Sequence, residues 1–187
     1  MKPFPEKMTL DQQIREMSTC CGLTPSRMRE RDAIVSALTN VATRKWSHAT
    51  LALYGSSATP LGICTSDVDI VLNPGVLLPS DCVLPQFLEC IRKACPWAEK
   101  TCKIVHTSAV PVLKFSWHTG TSVDITAFTP RQTGPQMRDH VLSLCDTTPQ
   151  LEPLVKVHHS RGVYPCLHWP SHWGSLLNTS SLVNSTP

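Results

Sequence analysis

Two aspartates separated by one residue are the first residues in this sequence whose types and spacing could do chemistry. Asp67 and Asp69 lie in the stretch DVDIVL, and in a strand their side chains would project from one face, roughly 6–7 Å apart along the backbone. Val68, Ile70 and Leu72 would face the other way, into a core. Two carboxylates on a mostly buried strand raise each other's pKa, and a divalent cation removes that cost. The pair therefore predicts a metal site.

A turn of small residues precedes this pair in the chain. Gly55, Ser56 and Ser57 follow the apolar run Leu51–Tyr54, and their backbone N–H groups and hydroxyls could bind a phosphate. By itself the turn could be only a tight corner, and Asp67 could simply cap a turn. Together, a phosphate-binding turn and a carboxylate pair indicate metal-dependent phosphoryl or nucleotidyl transfer.

A third aspartate repeats the pattern later in the chain. In the segment Ser122–Phe128, alternate residues are apolar and would share one face, while Asp124 would lie on the other. This is the arrangement predicted for Asp67 and Asp69. The sequence therefore places a third carboxylate on the polar face of an otherwise apolar strand.

Hydrophobic periodicity and turn residues predict the elements that must position these side chains. Thr24-Pro25 is a good helix start, because threonine can cap the helix and proline suits its first turn. After a loose arm over 1–10, the predicted helices are 11–19, 25–46, 84–95, 136–145 and 151–160, and the predicted strands are 50–54, 68–72, 103–106, 110–117 and 122–128. The segment after Gly162 is predicted to be irregular.

Composition limits the classes of protein to which this chain can belong. The chain has 187 residues, of which 41% are hydrophobic and 17% are charged, so it fits one domain with a ragged extension. The net charge of +3 tolerates a nucleic-acid partner without requiring one. Nine cysteines and an N-terminus without an apolar signal segment favour reduced thiols in the nucleus or cytoplasm. No apolar run reaches the ~18 residues of a membrane span.

Two stretches carry a resemblance to a known family. YGSSATPLGICTSDVDIVL and AVPVLKFSWHTGTSVDITAF resemble the nucleotidyltransferase superfamily of the DNA polymerase β type. Within it they look like the non-canonical poly(A) polymerase and terminal uridylyltransferase family, particularly its Trf4-like branch. The resemblance covers roughly residues 29–128. It implies an α/β (α+β) palm fold, in which a small mixed β-sheet has helices packed on one side.

The resemblance also implies roles for the acidic residues. Asp67 and Asp69 should bridge two divalent ions, Mg²⁺ or Mn²⁺, in a two-metal mechanism. Asp124 should complete the ion that activates the RNA 3′-hydroxyl. Lys114 lies where the family often carries lysine, and it could equally be a solvated strand residue or a phosphate contact.

The same resemblance implies which residues bind the nucleotide. Gly55 and Ser56 should hold the β and γ phosphates of a nucleoside triphosphate, and Ser57 is a weaker candidate. Lys156, in LEPLVKVHHS, matches a triphosphate-contacting lysine of the helical domain that follows the palm in the family. After Tyr164 the sequence does not predict the long helices that the family carries there.

These features predict a division of the chain and a function. The predicted division is an N-terminal arm (1–24), a palm (25–130), the start of an incomplete helical domain (131–163) and an irregular or disordered tail (164–187). The predicted activity is template-independent nucleotide addition to an RNA 3′ end, with ATP favoured and UTP possible. The alternatives are a terminal uridylyltransferase, or a truncated and catalytically weak palm that acts as a binding module. The resemblance implies RNA-binding or exosome-associated partners and no membrane, and it slightly favours the nucleus over the cytoplasm.

Overall fold

The computed structural model describes residues 8–106, 110–129 and 134–160. Within these ranges the chain forms, in order, α1 (Leu10–Cys21), α2 (Pro25–Lys45), β1 (Thr50–Leu53), β2 (Val68–Asn73), α3 (Ser80–Ala94), β3 (Lys103–His106), β4 (Pro111–Ser116), β5 (Ser122–Ala127), α4 (Gly134–Thr147) and α5 (Leu151–Ser160). Two short 3₁₀ turns, Gly55–Ala58 and Pro96–Ala98, lie between these elements.

The five strands form one mixed sheet in the order β1-β2-β5-β4-β3. β2 and β5 are parallel neighbours at its centre, and the other pairs are antiparallel. A parallel pair needs a crossover connection, and here the chain between β2 and β5 contains α3 and the hairpin of β3 and β4. Residues that are far apart in sequence therefore become neighbours at the centre of the sheet.

One face of the sheet packs against α2 and α3 to form the core. The buried side chains recur at helical spacing on the helices and at every second position on the strands. They include Ile34, Leu38 and Ala42 of α2, Leu84, Phe87 and Ile91 of α3, and Ile70, Leu72, Leu113 and Ile125 of the sheet. The opposite face of the sheet carries the polar side chains of Asp69, Asp124 and Lys114, which are register neighbours.

The first two helices begin at well-formed caps. Thr9 and Gln12 form a reciprocal capping box at the start of α1, and the Thr24 hydroxyl accepts a hydrogen bond from the N–H of Arg27 at the start of α2. Pro25 occupies the first position of α2, where its missing N–H costs nothing. α1 packs against α5, which joins the two ends of the described chain.

The predicted fold class is confirmed, since the structure has a small mixed sheet with helices on one side. All five predicted strands are present with ends shifted by at most one residue, and the predicted helices are present with longer or shorter ends. Residues 1–7 of the predicted arm, residues 107–109 and 130–133, and the segment 161–187, including the predicted tail 164–187, lie outside the described residues. No helix in the described part of the chain is long and apolar enough to cross a membrane.

Candidate active site

Asp67 and Asp69 lie at the start of β2, one just before the strand and one inside it. Asp67 is exposed and Asp69 is half-buried, whereas the intervening Val68 and the following Ile70 are fully buried. This alternation results from the pleat of the strand, which sends successive side chains to opposite faces. The two carboxylates therefore lie on the polar side of the sheet, as their spacing predicted.

Asp124 lies beside Asp69 across the parallel pair of strands. In the register of β2 and β5, Asp69 is directly paired with Asp124, and Val68 is paired with Val123. On the other side of β5, Lys114 of β4 is paired with Asp124, and its ammonium forms an ion pair with the Asp124 carboxylate. The sheet thus places Asp124 beside Asp69, and Lys114 of the next strand contacts Asp124.

The Gly55–Ala58 turn packs directly against Asp69. Gly55 has a φ of +60°, and an added Cβ there would lie only 3.0 Å from Asp69 Oδ2. Glycine is therefore required at this position both for its backbone conformation and for the close approach of the carboxylate. The Tyr54 N–H donates a 3.0 Å hydrogen bond to the Asp69 carbonyl, which fixes the turn beside β2.

The two serines of this turn have different surroundings. The Ser57 hydroxyl donates to the Asp67 carbonyl at 2.7 Å and accepts from the Asp69 N–H at 3.3 Å. Ser57 therefore bridges the backbone on both sides of Val68. The Ser56 hydroxyl has no hydrogen-bond partner within residues 8–106, 110–129 and 134–160, so it is the serine available to a ligand.

The charge state of Asp69 depends on its neighbours. Burial, followed by the negative charges of Asp124 and Asp67, raises the pKa of Asp69 to about 6. The positive charges of Lys114 and Arg31 act in the opposite direction but do not compensate. Near neutral pH the ionised Asp69 is therefore destabilised, and a cation bound at this position would relieve that cost.

Arg31 supports the loop that leads into Asp67, and the sequence analysis did not identify it. Its side chain is only 2% exposed on the buried face of α2, and its Nη2 donates to the Ser66 carbonyl at 2.5 Å. Its Nε has no partner among the described residues, and burial lowers its pKa. The available signal was position, because Arg31 precedes Ile34 and Leu38 at helical spacing and so falls on the core face.

Another carboxylate, that of Glu30, anchors the turn between β4 and β5. It accepts hydrogen bonds from Thr119 and, at 2.8 Å, from Thr121, and it pairs with Arg27 at 2.8 Å. These contacts, of which the Thr119 hydrogen bond is the largest, lower the pKa of Glu30 to about 2 although its partial burial acts against them. Between this turn and the loop before Asp67 lies a cavity of about 250 Å³.

Lys156 has no described contact with Asp67, Asp69 or Asp124, which together are called the acidic cluster. Its ammonium pairs with Glu152 one turn earlier in α5 at 2.7 Å. An added Cβ at Gly22, which follows α1, would lie 3.3 Å from the same ammonium. The side chain is 13% exposed, so it connects α5 to the end of α1.

The acidic cluster has the donor chemistry of a divalent-cation site. Mg²⁺ and Mn²⁺ bind oxygen ligands, and the Asp69 carboxylate forms no side-chain hydrogen bond within the described residues. In the part of the chain that the structure describes, no three His, Cys, Asp or Glu side chains are already close enough together to hold a metal ion. Asp124 is instead engaged by Lys114. The residues fit a divalent cation if Asp124 exchanges that partner.

A half-buried carboxylate pair on two parallel central strands, faced by a glycine-serine turn, defines the class of nucleotidyltransferase palms. Residues 10–129 match the family described as "Poly(A) RNA polymerase, mitochondrial-like, central palm domain". The match covers more than half of the sequence. The chain belongs to this family, as its two motif-bearing stretches had indicated.

Solved structures of similar fold include the mitochondrial poly(A) polymerase mtPAP in complex with CTP, with a TM-score of 0.73, 18% identity and coverage of 83% of this chain. They also include the polymerase core of TRAMP, an RNA surveillance complex (TM-score 0.69, 22% identity, 81% of this chain). A third is the Cid1 poly(U) polymerase with Mg and 3′-dATP (TM-score 0.67, 19% identity, 81% of this chain). At these identities the likeness establishes the fold.

The chain spans less than half the length of these solved relatives. The matched regions are 37% of the mtPAP chain, 46% of the TRAMP core and 46% of Cid1. No curated protein matches the sequence at a significant level.

Proposed function

We propose that this chain carries the catalytic palm of an RNA 3′-terminal nucleotidyltransferase that favours adenylyl transfer from ATP. The observation that supports this proposal most directly is the register of β2 and β5, which pairs Asp69 with Asp124. Asp67 lies on the same strand end, and the Gly55 turn lies against Asp69. The relatives named above are poly(A) and poly(U) polymerases.

In the proposed reaction the RNA 3′-hydroxyl attacks the α-phosphorus of the nucleotide. An oxygen–phosphorus bond forms, the bond to pyrophosphate breaks so that pyrophosphate leaves, and the hydroxyl proton passes to solvent water. Asp67, Asp69 and Asp124 would hold the divalent cations, which would supply charge neutralisation and lower the pKa of the attacking hydroxyl. The family resemblance implies that Asp124 would complete the ion that activates the attacking 3′-hydroxyl.

The Gly55–Ala58 turn is proposed to bind the β and γ phosphates. Ser56 is the better hydroxyl for that role, because Ser57 already bridges the backbone of Asp67 and Asp69. Lys156 would contact the triphosphate only after leaving Glu152. We therefore propose Gly55 and Ser56 as the main phosphate ligands of this chain.

The proposed domain division keeps 25–130 as the palm and 131–163 as the opening of an incomplete helical domain, with 1–24 as an arm and 164–187 as a tail. Since the matched regions are less than half of each solved relative, we propose that a partner subunit or a longer form of this chain would supply the rest of the nucleotide site. RNA-binding proteins are the proposed partners, because relatives occur in the GLD-2/RNP-8 complex and in TRAMP.

A primer-extension assay tests the proposal. The full chain is incubated with a labelled oligo(A) RNA and each nucleoside triphosphate separately, with Mg²⁺ or Mn²⁺. We expect a ladder with ATP that Asp69→Asn reduces by at least about 100-fold, because the variant loses a cation ligand. Asp146→Asn, an exposed aspartate on α4, is the matched control and should leave the ladder intact.

The other outcomes separate the alternatives. A ladder with UTP instead of ATP would assign the chain to the uridylyl branch. No product from a folded protein that still binds Mn²⁺ would favour a binding module. Product formation that is equal in the Asp69→Asn variant would contradict the proposed site.

A further inference from the structure

Lys114 is the cation that directly contacts the acidic cluster. It lies at the centre of β4, opposite Asp124 on one side and Lys103 on the other. Within the described residues, Asp124 is the one aspartate of the cluster that forms an ion pair. Arg31, the other nearby cation, donates to backbone carbonyls instead.

We propose that Lys114 is an internal counter-ion of this cluster, and that Asp124 must release the Lys114 ammonium before it can bind a divalent cation. The inference rests on the metal site proposed above. Asp124 and Asp67 both act electrostatically on the half-buried Asp69, and such carboxylates repel one another when no cation is bound. The lysine neutralises part of that charge and holds Asp124 in a defined position.

The exposure of the two partners makes such an exchange feasible. The Asp124 side chain is 16% exposed, whereas the Lys114 side chain is 38% exposed. A partly solvated lysine on a flexible stem can leave its partner at modest cost. The carboxylate cannot follow it, because it is attached to a central strand. The same oxygen, Asp124 Oδ2, thus serves the ammonium in one state and a metal ion in the other.

The exchange has a direct consequence for cation affinity. A cation that binds Oδ2 of Asp124 must first break a charge-assisted contact, so the apparent affinity is lower than the three carboxylates alone would give. Removing the ammonium should therefore tighten binding. An unpaired lysine close by should have a much smaller effect, because it acts only through the solvent-screened field.

The test measures Mn²⁺ binding to the full chain by electron paramagnetic resonance of the free ion. Lys114→Met should bind Mn²⁺ about tenfold more tightly than wild type, since no charged hydrogen bond is broken. Lys103→Met removes the same charge from the facing position on β3, where the side chain is exposed, and should change the affinity by less than about twofold. Lys114→Arg keeps the contact and should stay within about twofold of wild type.

Thermal unfolding provides a second readout that needs no bound metal. Without Mn²⁺, Lys114→Met should melt at a lower temperature than Lys103→Met, and addition of Mn²⁺ should raise its Tm by more than that of wild type. If Lys114→Met does not fold without Mn²⁺ but folds with it, the counter-ion role is supported. Lys114→Gln, which keeps more of the side-chain polarity, then replaces it in the titration.

Two contrary results can be told apart. Equal Mn²⁺ affinities of Lys114→Met and Lys103→Met, in a protein whose Mn²⁺ binding is lost in Asp69→Asn, would overturn the counter-ion role alone. Weaker binding by Lys114→Met would do the same. Mn²⁺ binding that Asp69→Asn leaves unchanged would contradict the metal site itself, and the role of Lys114 with it.

Discussion

Asp69 and Glu30 are two partly buried carboxylates, and their surroundings shift their pKa values in opposite directions. The pKa of Asp69 is raised to about 6, whereas that of Glu30 is lowered to about 2. Glu30 is surrounded by donors, namely two threonine hydroxyls and the Arg27 guanidinium. Asp69, by contrast, is partly buried and lies near two other carboxylates, those of Asp124 and Asp67.

The difference separates a structural carboxylate from one available to a ligand. The protein itself supplies the hydrogen bonds and positive charge that Glu30 needs, so its charge stabilises the folded state. The charge of Asp69 is left incompletely compensated, which costs stability unless something outside the chain binds to it. Perturbed carboxylates of the second kind are typical of functional sites.

Neutralising each carboxylate in turn tests this comparison and should give the largest changes in stability. At pH 7, Glu30→Gln should lower the free energy of unfolding by about 2 kcal/mol, because it loses charge-assisted hydrogen bonds. Asp69→Asn, without metal, should raise it by about 1 kcal/mol, because it removes repulsion and desolvation. Urea unfolding measures both values, and Glu16→Gln, at an exposed position, is the control. A loss of stability in Asp69→Asn would contradict the comparison.

The pH dependence of stability should show the same opposition. Because the folded-state pKa of Asp69 is raised, protonation favours the folded state, and stability should fall as pH rises from about 4 through about 6. Because the folded-state pKa of Glu30 is lowered, its contribution is present above about pH 4.5 and is lost as pH falls towards about 2. Urea unfolding from pH 3 to 8 measures both limbs. The upper limb should disappear in Asp69→Asn, and the lower limb in Glu30→Gln.

Arg31 extends the comparison to a buried cation next to Glu30 in sequence. Arg31→Met should cost only about 1 kcal/mol, because the lost hydrogen bond to Ser66 is offset by removal of a desolvated charge. Primer extension should nevertheless fall about tenfold, since the loop before Asp67 loses its support. Arg31→Lys should recover part of the activity, and the exposed Arg29→Met should behave as wild type. Full activity in Arg31→Met would contradict the proposal that Arg31 positions the loop before Asp67.

The two serines of the turn test the same distinction, and their variants should have the smallest effects. Ser57→Ala should lower the free energy of unfolding by about 1 kcal/mol, because it leaves the Asp69 N–H without its acceptor. Ser56→Ala should change it by less than about 0.5 kcal/mol but should raise KM for the nucleotide severalfold. Unfolding curves and steady-state kinetics on the same two variants test the distinction. The opposite assignment of effects would make Ser57 the phosphate ligand.

The sequence predicted the strands and the acidic residues well because both depend on local patterns. Alternation along DVDIVL and SVDITAF indicates which side chains share a face, and a helical period marks the core face of α2. The approach of Asp69 to Asp124 was implied by family resemblance, since no local pattern sets the order of strands in a sheet.

Other features of the site depend on tertiary contacts that a single sequence does not specify. The ion pair of Lys114 with Asp124 needs the register of β4 on β5. The bridging role of Ser57 needs the turn to lie within hydrogen-bonding distance of β2. Arg31 was overlooked because arginine is ordinarily a surface residue, and here it is buried by the loop whose carbonyl it binds.

The parallel pairing of β2 with β5 also sets the time at which the acidic cluster can form. Asp69 and Asp124, which are register partners, are separated by 124 − 69 = 55 positions in the chain. Closing a segment of that length is entropically costly, so such contacts form late in folding. The ribosome must complete β5 before the two carboxylates can meet, and the intervening helix and hairpin can fold first. During synthesis the repulsion between these carboxylates therefore arises only after most of the core that withstands it has been made.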